Sequence, residues 1–153
     1  MWWTNNAGQT WHLVFEHQAR AGVTGLAFAY TGTGVSYVTF DSPDPKARDV
    51  YRIERQPGNV LGWTVSRITA NLPIGNRELN TVVASPKNAN EVFVGTDAGV
   101  YRGTLGLFGL WNWQPWNDGL PLAMVTDLEF EWTTGEVRAA TFGRGAWRIK
   151  VAQ

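Results

Sequence analysis

Four aspartates of this sequence are candidates for acid–base chemistry. Hydrolysis of a glycosidic bond needs two carboxyl groups roughly 5–10 Å apart that face a common cleft. The candidates are Asp41, Asp97, Asp118 and Asp127. For Asp97 the alternative is a turn-forming role between two strands, and the sequence alone pairs no second carboxylate with it.

Other kinds of catalytic or metal site find little support. The chain of 153 residues has no cysteine, which excludes thiolate ligands and cysteine nucleophiles, and it has 2 histidines. His12 and His17 lie around a strand and a turn, where no helix imposes the spacing of metal ligands. We therefore expect no metal site and no cofactor.

The 9 tryptophans are the remaining chemical signal. An exposed Trp ring can stack on a sugar or anchor a protein partner. We single out Trp2 and Trp3 in the first hairpin, and Trp111 and Trp116 in a later outer strand, as candidate contacts with a ligand or partner. The alternative is that these rings fill the space between sheets. Because neighbouring residues of a strand point to opposite faces, one of Trp2 and Trp3 must point outward.

The composition indicates which elements position these residues. Hydrophobic residues make up 44% and charged residues 17%, which suits an ordered globular domain. The many aromatic residues, with 17 Gly and 7 Pro, favour an all-β fold of short strands joined by tight turns.

The net charge of zero favours binding to neither nucleic acid nor an anionic membrane. No apolar window is long enough for a membrane span, and any export signal would lie outside this sequence.

Three segments of the chain begin alike and indicate an internal repeat. They are VTGLAFAY from Val23, LNTVVAS from Leu79 and VTDLEFE from Val125, and each alternates apolar with polar or small residues. This period of two is typical of a strand with one buried face. Each segment continues, through a connection with Gly or Asn, into a second strand-like run: VSYVTFD, EVFVGTD and EVRAATF. Each segment therefore begins as an antiparallel pair of strands.

A third run in each segment carries an aromatic residue followed by arginine. The aromatic residues are Tyr51, Tyr101 and Trp147, separated by roughly 50 positions, as the unit of a repeat protein requires. Two segments add a fourth run, which contains Trp63 or Trp113. The arginines of the three pairs are Arg52, Arg102 and Arg148. We interpret them as strand-edge residues whose side chains cover aromatic faces.

A unit of about 45–55 residues with four short strands is typical of a β-propeller blade. We predict a single all-β domain over residues 1–153, a partial propeller of about three four-stranded antiparallel blades. It comprises a half blade at 2–16, blades at 23–73 and 79–121, and three strands of a last blade at 125–151. The N-terminal strand with Trp11 could complete that last blade.

This number of blades is too small for a closed ring, because propellers generally have four to eight blades. Open ends would expose sheet faces that we expect to be rich in Trp, Val and Leu. Either the chain is part of a longer propeller, or identical chains assemble into a ring. We therefore expect other protein chains, identical copies or members of a larger assembly, as partners.

The stretch TNNAGQTW near the start resembles the Asp-box of bacterial neuraminidase-type repeats, whose pattern is close to Ser/Thr-x-Asp-x-Gly-x-Thr-Trp. Thr4, Gly8, Thr10 and Trp11 match this pattern, and Asn6 stands where Asp is usual. A short Asn side chain accepts backbone N–H bonds within a turn, and Gly adopts a positive φ. We expect the Trp ring to pack between sheets.

Two further runs, EVFVGTDAGVYRG and EVRAATFGRGAWRI, are similar to the second and third strands of blades in the Asp-box propeller superfamily. That superfamily includes sialidases, xyloglucan-active glycoside hydrolases, sortilin-type receptors and photosystem assembly factors. The run GTDAGVYR is similar to the TD-x-GG-x-YR run that carries a catalytic Asp in the xyloglucan-active enzymes, although only one Gly follows Asp97 here. The arginine triad and the Tyr–Glu pair of sialidases have no counterpart that we identify.

The resemblance thus implies two functions of different kinds. The first is a non-catalytic binding or scaffolding module that contacts protein chains and possibly carbohydrate. The alternative is a fragment of a propeller glycoside hydrolase in which Asp97 is one acid–base carboxylate. A purely structural subunit with Trp-rich contact edges is a third possibility. We expect no contact with nucleic acid and no membrane span.

Overall fold

The computed structural model describes residues 1–18, 20–29, 34–56, 58 and 62–151. It confirms the predicted all-β class, because strands and three short 3₁₀ turns form its regular structure in these residues. The strands are β1 (Trp2–Trp3), β2 (His12–Leu13), β3 (Gly22–Phe28), β4 (Val35–Asp41), β5 (Asp49–Arg55), β6 (Trp63–Arg67), β7 (Leu79–Ala84), β8 (Glu91–Thr96), β9 (Gly99–Leu105), β10 (Trp111–Pro115), β11 (Val125–Glu131), β12 (Glu136–Thr141) and β13 (Gly145–Lys150). The 3₁₀ turns are Pro45–Ala47, Ile74–Asn76 and Leu107–Gly109.

The strands form antiparallel sheets in which each strand pairs with its neighbours in sequence. The first sheet has the order β3-β4-β5-β6, the second β10-β9-β8-β7 and the third β11-β12-β13, while β1 and β2 form a separate N-terminal hairpin. Such a meander needs only tight connections between strands. The predicted turns TGTG and QPGNVLG fall largely on residues 31–33, 57 and 59–61, outside the described residues.

The sheets pack one on the next along the chain. Strand β7 contacts β3 and β4 of the first sheet, and β11 contacts β7 and β8 of the second. Tyr37 and Val94 are fully buried between the first two sheets, and Phe93 and Val125 are fully buried between the second and third. The middle strands β4 and β8 are buried almost throughout, because both faces of their sheets are covered.

The sheets approach closely where the first strand of one sheet packs on the preceding sheet. A Cβ atom on Gly25 of β3 would lie 2.9 Å from the backbone nitrogen of Val82 in β7, and one on Gly95 of β8 would lie 2.7 Å from Cγ1 of Val125 in β11. Each first strand also has a register shift near its start, at Val23/Gly25, Leu79/Thr81 and Val125/Asp127. The three segments therefore share a local irregularity as well as a strand order.

The N-terminal hairpin covers the outer face of the first sheet. Met1 O accepts hydrogen bonds from the N–H groups of Val14 (3.0 Å) and Phe15 (3.3 Å), which closes the hairpin. Met1, Val14 and Phe15 pack against a core that includes Phe40 and Ile53.

The expectation that the strand with Trp11 completes the last unit is wrong. This segment follows β1 in a tight hairpin, so β2 pairs with β1 and the third sheet has three strands.

The uncovered face of the third sheet corrects a second expectation, because it is charged rather than rich in Trp, Val and Leu. Leu128, Phe130 and Val137 point towards the second sheet and are buried. On the opposite face, Glu129 pairs in register with Arg138, and Arg138 with Arg148; all three residues are exposed. A polar outer face is the arrangement that keeps the terminal unit of a repeat protein soluble.

Candidate functional site

The N-terminal turn, residues 4–10 between β1 and β2, satisfies its polar groups internally. Asn6 Oδ1 accepts hydrogen bonds from the Thr10 N–H (3.0 Å) and the Thr4 hydroxyl (2.9 Å). Thr4 Oγ1 in turn accepts from the N–H of Gly8 (3.1 Å), whose φ is +84°. The Asn6 amide also donates to Thr10 Oγ1 (2.8 Å). These side chains stabilise the turn and have a structural role.

Trp11 lies beside this turn and is 57% exposed. The expectation that its ring packs between sheets is wrong. The hairpin has only two short strands, and the ring lies over Gly8, whose added Cβ would be 3.7 Å from Cζ2 of Trp11. Its exposure makes Trp11 part of the outer surface of the hairpin.

The adjacent residues Trp2 and Trp3 point to opposite sides of the hairpin. Trp3 packs edge-on against Trp63, with 5.7 Å between ring centroids, and the Arg55 guanidinium lies 4.9 Å from the centroid of the Trp3 ring. Trp2 is 59% exposed and lies opposite Leu13, which is 53% exposed. We call the exposed side chains of Trp2, Trp11 and Leu13 the hairpin surface.

A groove borders the hairpin surface. It has a volume of about 320 Å³, and Trp2, Leu13, Phe15 and Phe40 are among the residues that line it. An apolar side chain of a partner that entered this groove would contact aromatic rings from both the hairpin and the first sheet. The arrangement resembles the pockets that receive anchor residues at protein interfaces.

The other two tryptophan candidates are half-buried in contacts within the chain. Trp111 lies edge-on to Tyr37 (5.9 Å between centroids) and stacks on Trp113 (6.4 Å). Trp116 lies 4.6 Å from the ring of Phe93. Of the four tryptophans singled out from the sequence, Trp2 alone has most of its surface exposed.

Two of the four candidate carboxylates stabilise connections between sheets. Asp41 accepts a hydrogen bond from the Leu79 N–H (3.1 Å) and pairs with Arg48 Nε (3.0 Å). Asp127 Oδ1 accepts from the Leu128 N–H (2.9 Å) and lies 3.5 Å from the Thr81 hydroxyl. Each therefore fixes the start of a first strand.

Asp97 differs, because the described residues give its buried Oδ1 atom no hydrogen-bond partner. It lies in the turn between β8 and β9. The Thr96 hydroxyl stabilises this turn by donating to Gly99 O (2.9 Å) and accepting from the Ala98 N–H (3.1 Å). No ion pair or hydrogen bond in the described residues links Asp97 to Asp118, the remaining candidate.

The three arginines of the repeat each lie near a carboxylate. Arg52 Nη1 lies 2.6 Å from Glu54 Oε2, and Arg102 Nε lies 2.7 Å from Glu91 Oε1. Arg148 lies 3.7 Å from a carboxylate oxygen of Glu136. Charge-assisted hydrogen bonds hold Arg52 and Arg102, whereas the contact of Arg148 is an ion pair longer than a hydrogen bond.

A buried polar cluster that was not predicted from the sequence surrounds Asp49. His17 Nε2 lies 3.2 Å from Asp49 Oδ2, and each of these side chains is only 7% exposed. Asp49 Oδ1 accepts hydrogen bonds from the Thr69 hydroxyl (2.9 Å) and from Arg67 Nε. The Tyr51 hydroxyl lies 3.5 Å from Asp49 Oδ2, and burial, reinforced by this carboxylate, raises the pKa of Tyr51. No local sequence motif indicates this cluster.

A second buried group lies between the first and second sheets. Tyr37 is fully buried, and its hydroxyl donates a hydrogen bond to Ala89 O. Burial raises the pKa of Tyr37 to about 12, although the neighbouring Arg52 acts in the opposite direction. Tyr37 thus joins the two sheets as a neutral hydrogen-bond donor.

Exposed apolar residues also cluster in the loop between β9 and β10. Phe108 is 96% exposed, and its backbone has a φ of +63°. Leu107 and Leu110 are 83% and 69% exposed. This loop protrudes as an apolar tip, a feature that no motif of the sequence indicated.

Neither a group of metal ligands nor a membrane-spanning helix occurs in the residues that the structure describes. No group of three or more His, Cys, Asp or Glu side chains there could hold a metal ion. Likewise, none of the described helices is long and apolar enough to cross a membrane. The sequence matches no protein-family model and no curated protein.

Proposed function

We propose that the protein is a non-catalytic binding or scaffolding module, a partial β-propeller of the Asp-box type that joins other protein chains in a larger assembly. The repeated four-stranded meanders and the contacts between successive first strands support the blade interpretation. A blade series of this kind presents loops and open ends for binding, while its buried interfaces provide the stability.

The observation that carries this proposal is the hairpin surface beside its groove. Trp2, Leu13 and Trp11 each expose more than half of their surface at one end of the stack of sheets. Large exposed apolar patches on soluble proteins mark interaction sites, and Trp is among the commonest residues at binding hot spots. The opposite end carries charges, so the two ends are chemically different.

The bonding of the carboxylates agrees with a non-catalytic role. Asp41 and Asp127 accept backbone N–H groups. Such bonds fix the carboxylates as structural acceptors. A glycosidase would need both an acid and a second carboxylate that are free to act on one substrate.

The test is the mass of the full chain in solution, measured by light scattering coupled to size exclusion. We expect association above the 17.0 kDa monomer, either as a discrete dimer or as concentration-dependent higher species. The double variant Trp2→Ser/Leu13→Ser should reduce this association at least tenfold. Leu122→Ser, which removes a leucine that is 78% exposed elsewhere, is the matched control. A monodisperse monomer at all concentrations would count against the proposal.

The alternative, a fragment of a propeller glycoside hydrolase, rests on the unpartnered Asp97 Oδ1. This oxygen makes no structural hydrogen bond, whereas Asp41 and Asp127 are bound to backbone N–H groups, and a glycosidase needs carboxyl groups that are free to act on the substrate. The test is hydrolysis of aryl glycosides and xyloglucan oligosaccharides by the full chain and by Asp97→Asn. Turnover that the substitution abolishes would favour the hydrolase, whereas the binding module predicts none.

A further inference from the structure

The loop between β9 and β10 exposes three apolar side chains. Phe108 is 96% exposed, Leu107 83% and Leu110 69%. We call these three side chains the apolar tip. They belong to the second sheet, which packs against the first sheet on one side and the third on the other. Side chains this exposed contribute little to the core, because apolar surface stabilises a fold only when it is removed from water.

Closure of the loop does not require these side chains. The Gly106 N–H donates a hydrogen bond to Leu110 O at 2.8 Å, so the backbone itself closes the loop. The turn at residues 4–10 is closed differently, by polar side chains such as Asn6, whose Oδ1 accepts from the Thr10 N–H at 3.0 Å. Short polar residues are the usual choice in such turns. The apolar tip therefore serves neither the core nor the turn.

Phe108 also adopts a backbone conformation that bulky residues seldom adopt. Its φ is +63° and its ψ is +17°. In this left-handed region the Cβ atom crowds the backbone, which makes the conformation unfavourable for any residue but glycine. The exposed ring gains no packing that would offset this strain. Strained residues of this kind cluster at functional sites, so the strain supports a role in binding.

The chemistry of the loop distinguishes between two kinds of partner. Residues 103–117 include no charged side chain, and no side chain from Gly106 to Leu110 can form a hydrogen bond. Arg67 lines the groove beside Leu110, but its Nε pairs with Asp49. Protein interfaces surround their apolar centre with a polar rim and form about one hydrogen bond per 100–200 Å². A protruding tip without polar side chains lacks these features.

We propose that the apolar tip inserts into the interfacial region of a lipid bilayer with zwitterionic headgroups. Acyl chains accept apolar side chains of any shape, so a protruding tip needs no matching pocket. Trp111, half-buried at the base of the loop, is of the residue type that is enriched at membrane–water interfaces. Unpaired backbone groups are costly in hydrocarbon, so a short turn reaches only the depth of the headgroups.

The attachment is expected to be weak and reversible. A single myristoyl chain binds a bilayer only marginally, and three side chains of one loop bury less apolar surface than such a chain. Several copies of the chain in one assembly would bind more strongly, because each further tip inserts at a high effective concentration. The inference concerns a site apart from the hairpin surface and does not depend on the proposed self-association.

The experiment measures partitioning of the full chain onto sucrose-loaded phosphatidylcholine vesicles by sedimentation. We expect Phe108→Ser/Leu110→Ser to lower the partition coefficient at least fivefold, because two of the three inserted side chains become polar. Leu122→Ser is the matched control, since Leu122 is 78% exposed in a different loop, and it should change the coefficient less than twofold. High salt should have little effect, because salt screens charges and the tip has none.

A second variant separates binding from folding. Phe108→Gly suits the positive φ, so its urea denaturation midpoint should equal or exceed that of the original protein. Its partition coefficient should nevertheless fall at least threefold, because the ring is lost. A side chain with a purely structural role would give the reverse result, a lower midpoint with unchanged partitioning.

A fluorescent label locates the contact. The chain has no cysteine, so Leu107→Cys places one environment-sensitive dye within the apolar tip. Lys46→Cys is the control, because Lys46 is exposed in the turn between the second and third strands of its sheet. Turns at that position lie at the opposite end of a meander from turns that follow the third strand. We expect vesicles to shift the emission of the dye at residue 107 to shorter wavelength and to leave the dye at residue 46 unchanged.

Any of four results would overturn the inference: no partitioning of the original protein, equal partitioning of Phe108→Ser/Leu110→Ser, equal responses of the two dyes, or partitioning that high salt abolishes. Failure here is distinguishable from failure of the proposed function. Trp2→Ser/Leu13→Ser should lose self-association and still partition onto vesicles, whereas Phe108→Ser/Leu110→Ser should associate normally.

Discussion

His17 Nε2 lies 3.2 Å from Asp49 Oδ2 in a setting where each side chain is only 7% exposed. The contact ties residue 17, at the end of the N-terminal hairpin, to the first residue of β5. The His17 ring also stacks on Phe40, with 4.5 Å between centroids. Polar and aromatic contacts at one point thus hold the hairpin in place, and the hairpin surface depends on this attachment.

We predict that Asp49→Ala lowers the free energy of unfolding by about 2–4 kcal/mol, because it leaves the buried Thr69 and His17 without their carboxylate partner. Chemical denaturation measures this change. Asp44→Ala is the control, since Asp44 accepts the exposed Lys46 N–H at 3.0 Å and its loss should cost about 1 kcal/mol or less. Equal losses in the two variants would contradict a special role for the cluster.

Tyr37 gives a prediction for alkaline pH. Its pKa is about 12 in the folded protein against 10.0 for an unperturbed tyrosine, so the unfolded chain releases the proton first. The stability from neutral Tyr37 is fully present below pH 10 and is lost as the pH rises through 12. A shift of this size corresponds to about 2–3 kcal/mol.

The measurement is urea denaturation between pH 8 and pH 11.5 of the original protein and of Tyr37→Phe. At pH 8 the variant should be less stable by about 1 kcal/mol, because it lacks the hydrogen bond to Ala89 O. The difference should shrink or change sign as the pH rises, since phenylalanine cannot ionise. Parallel pH profiles for the two proteins would show that Tyr37 does not control the alkaline transition.

The fold class could be predicted from the sequence, whereas the site could not. Alternation in LNTVVAS and EVFVGTD marks short strands whatever their partners are, and the confirmed all-β class follows from such runs. His17 and Asp49 are far apart in sequence, and only the packing of the hairpin on the first sheet brings them together. The exposure of Trp11 depends on what lies beside its strand, which periodicity does not determine.

The charged outer face of the third sheet is a related case. Arg138, Arg148 and Glu129 look like scattered surface charges in the sequence. Their alignment on one face follows from the register of β11, β12 and β13, which a single sequence does not specify. The expectation of an apolar open face failed at the third sheet for this reason.

Glu131 offers a local test of the turn between β11 and β12. Its carboxylate accepts hydrogen bonds from the hydroxyls and then the backbone N–H groups of Thr133 and Thr134, which lower its pKa to about 2. An NMR titration of Glu131 should therefore have its midpoint near 2, and Thr133→Ala/Thr134→Ala should raise it. The contribution of this group to stability is present above the ordinary value of 4.5 and is lost as the pH falls towards 2. A midpoint unchanged by the double substitution would exclude the hydroxyls as a cause.

Gly95 provides the sharpest test of how the second and third sheets pack. A Cβ atom there would lie 2.7 Å from Cγ1 of Val125 in β11 and 2.6 Å from Cγ2 of Thr81 in the adjacent strand β7, so Gly95→Ala must push β11 away from the second sheet. We expect a loss of about 1–3 kcal/mol in the free energy of unfolding, as overpacked cores show.

Gly75→Ala is the matched control, because an added Cβ at Gly75 meets no atom within 4 Å. That variant should change stability by about 0.5 kcal/mol or less. Urea denaturation of both variants measures the two changes in the free energy of unfolding. If Gly95→Ala were as stable as Gly75→Ala, the close approach of β8 to β11 would be wrong, and with it the stacking of the second and third sheets on which the blade interpretation depends.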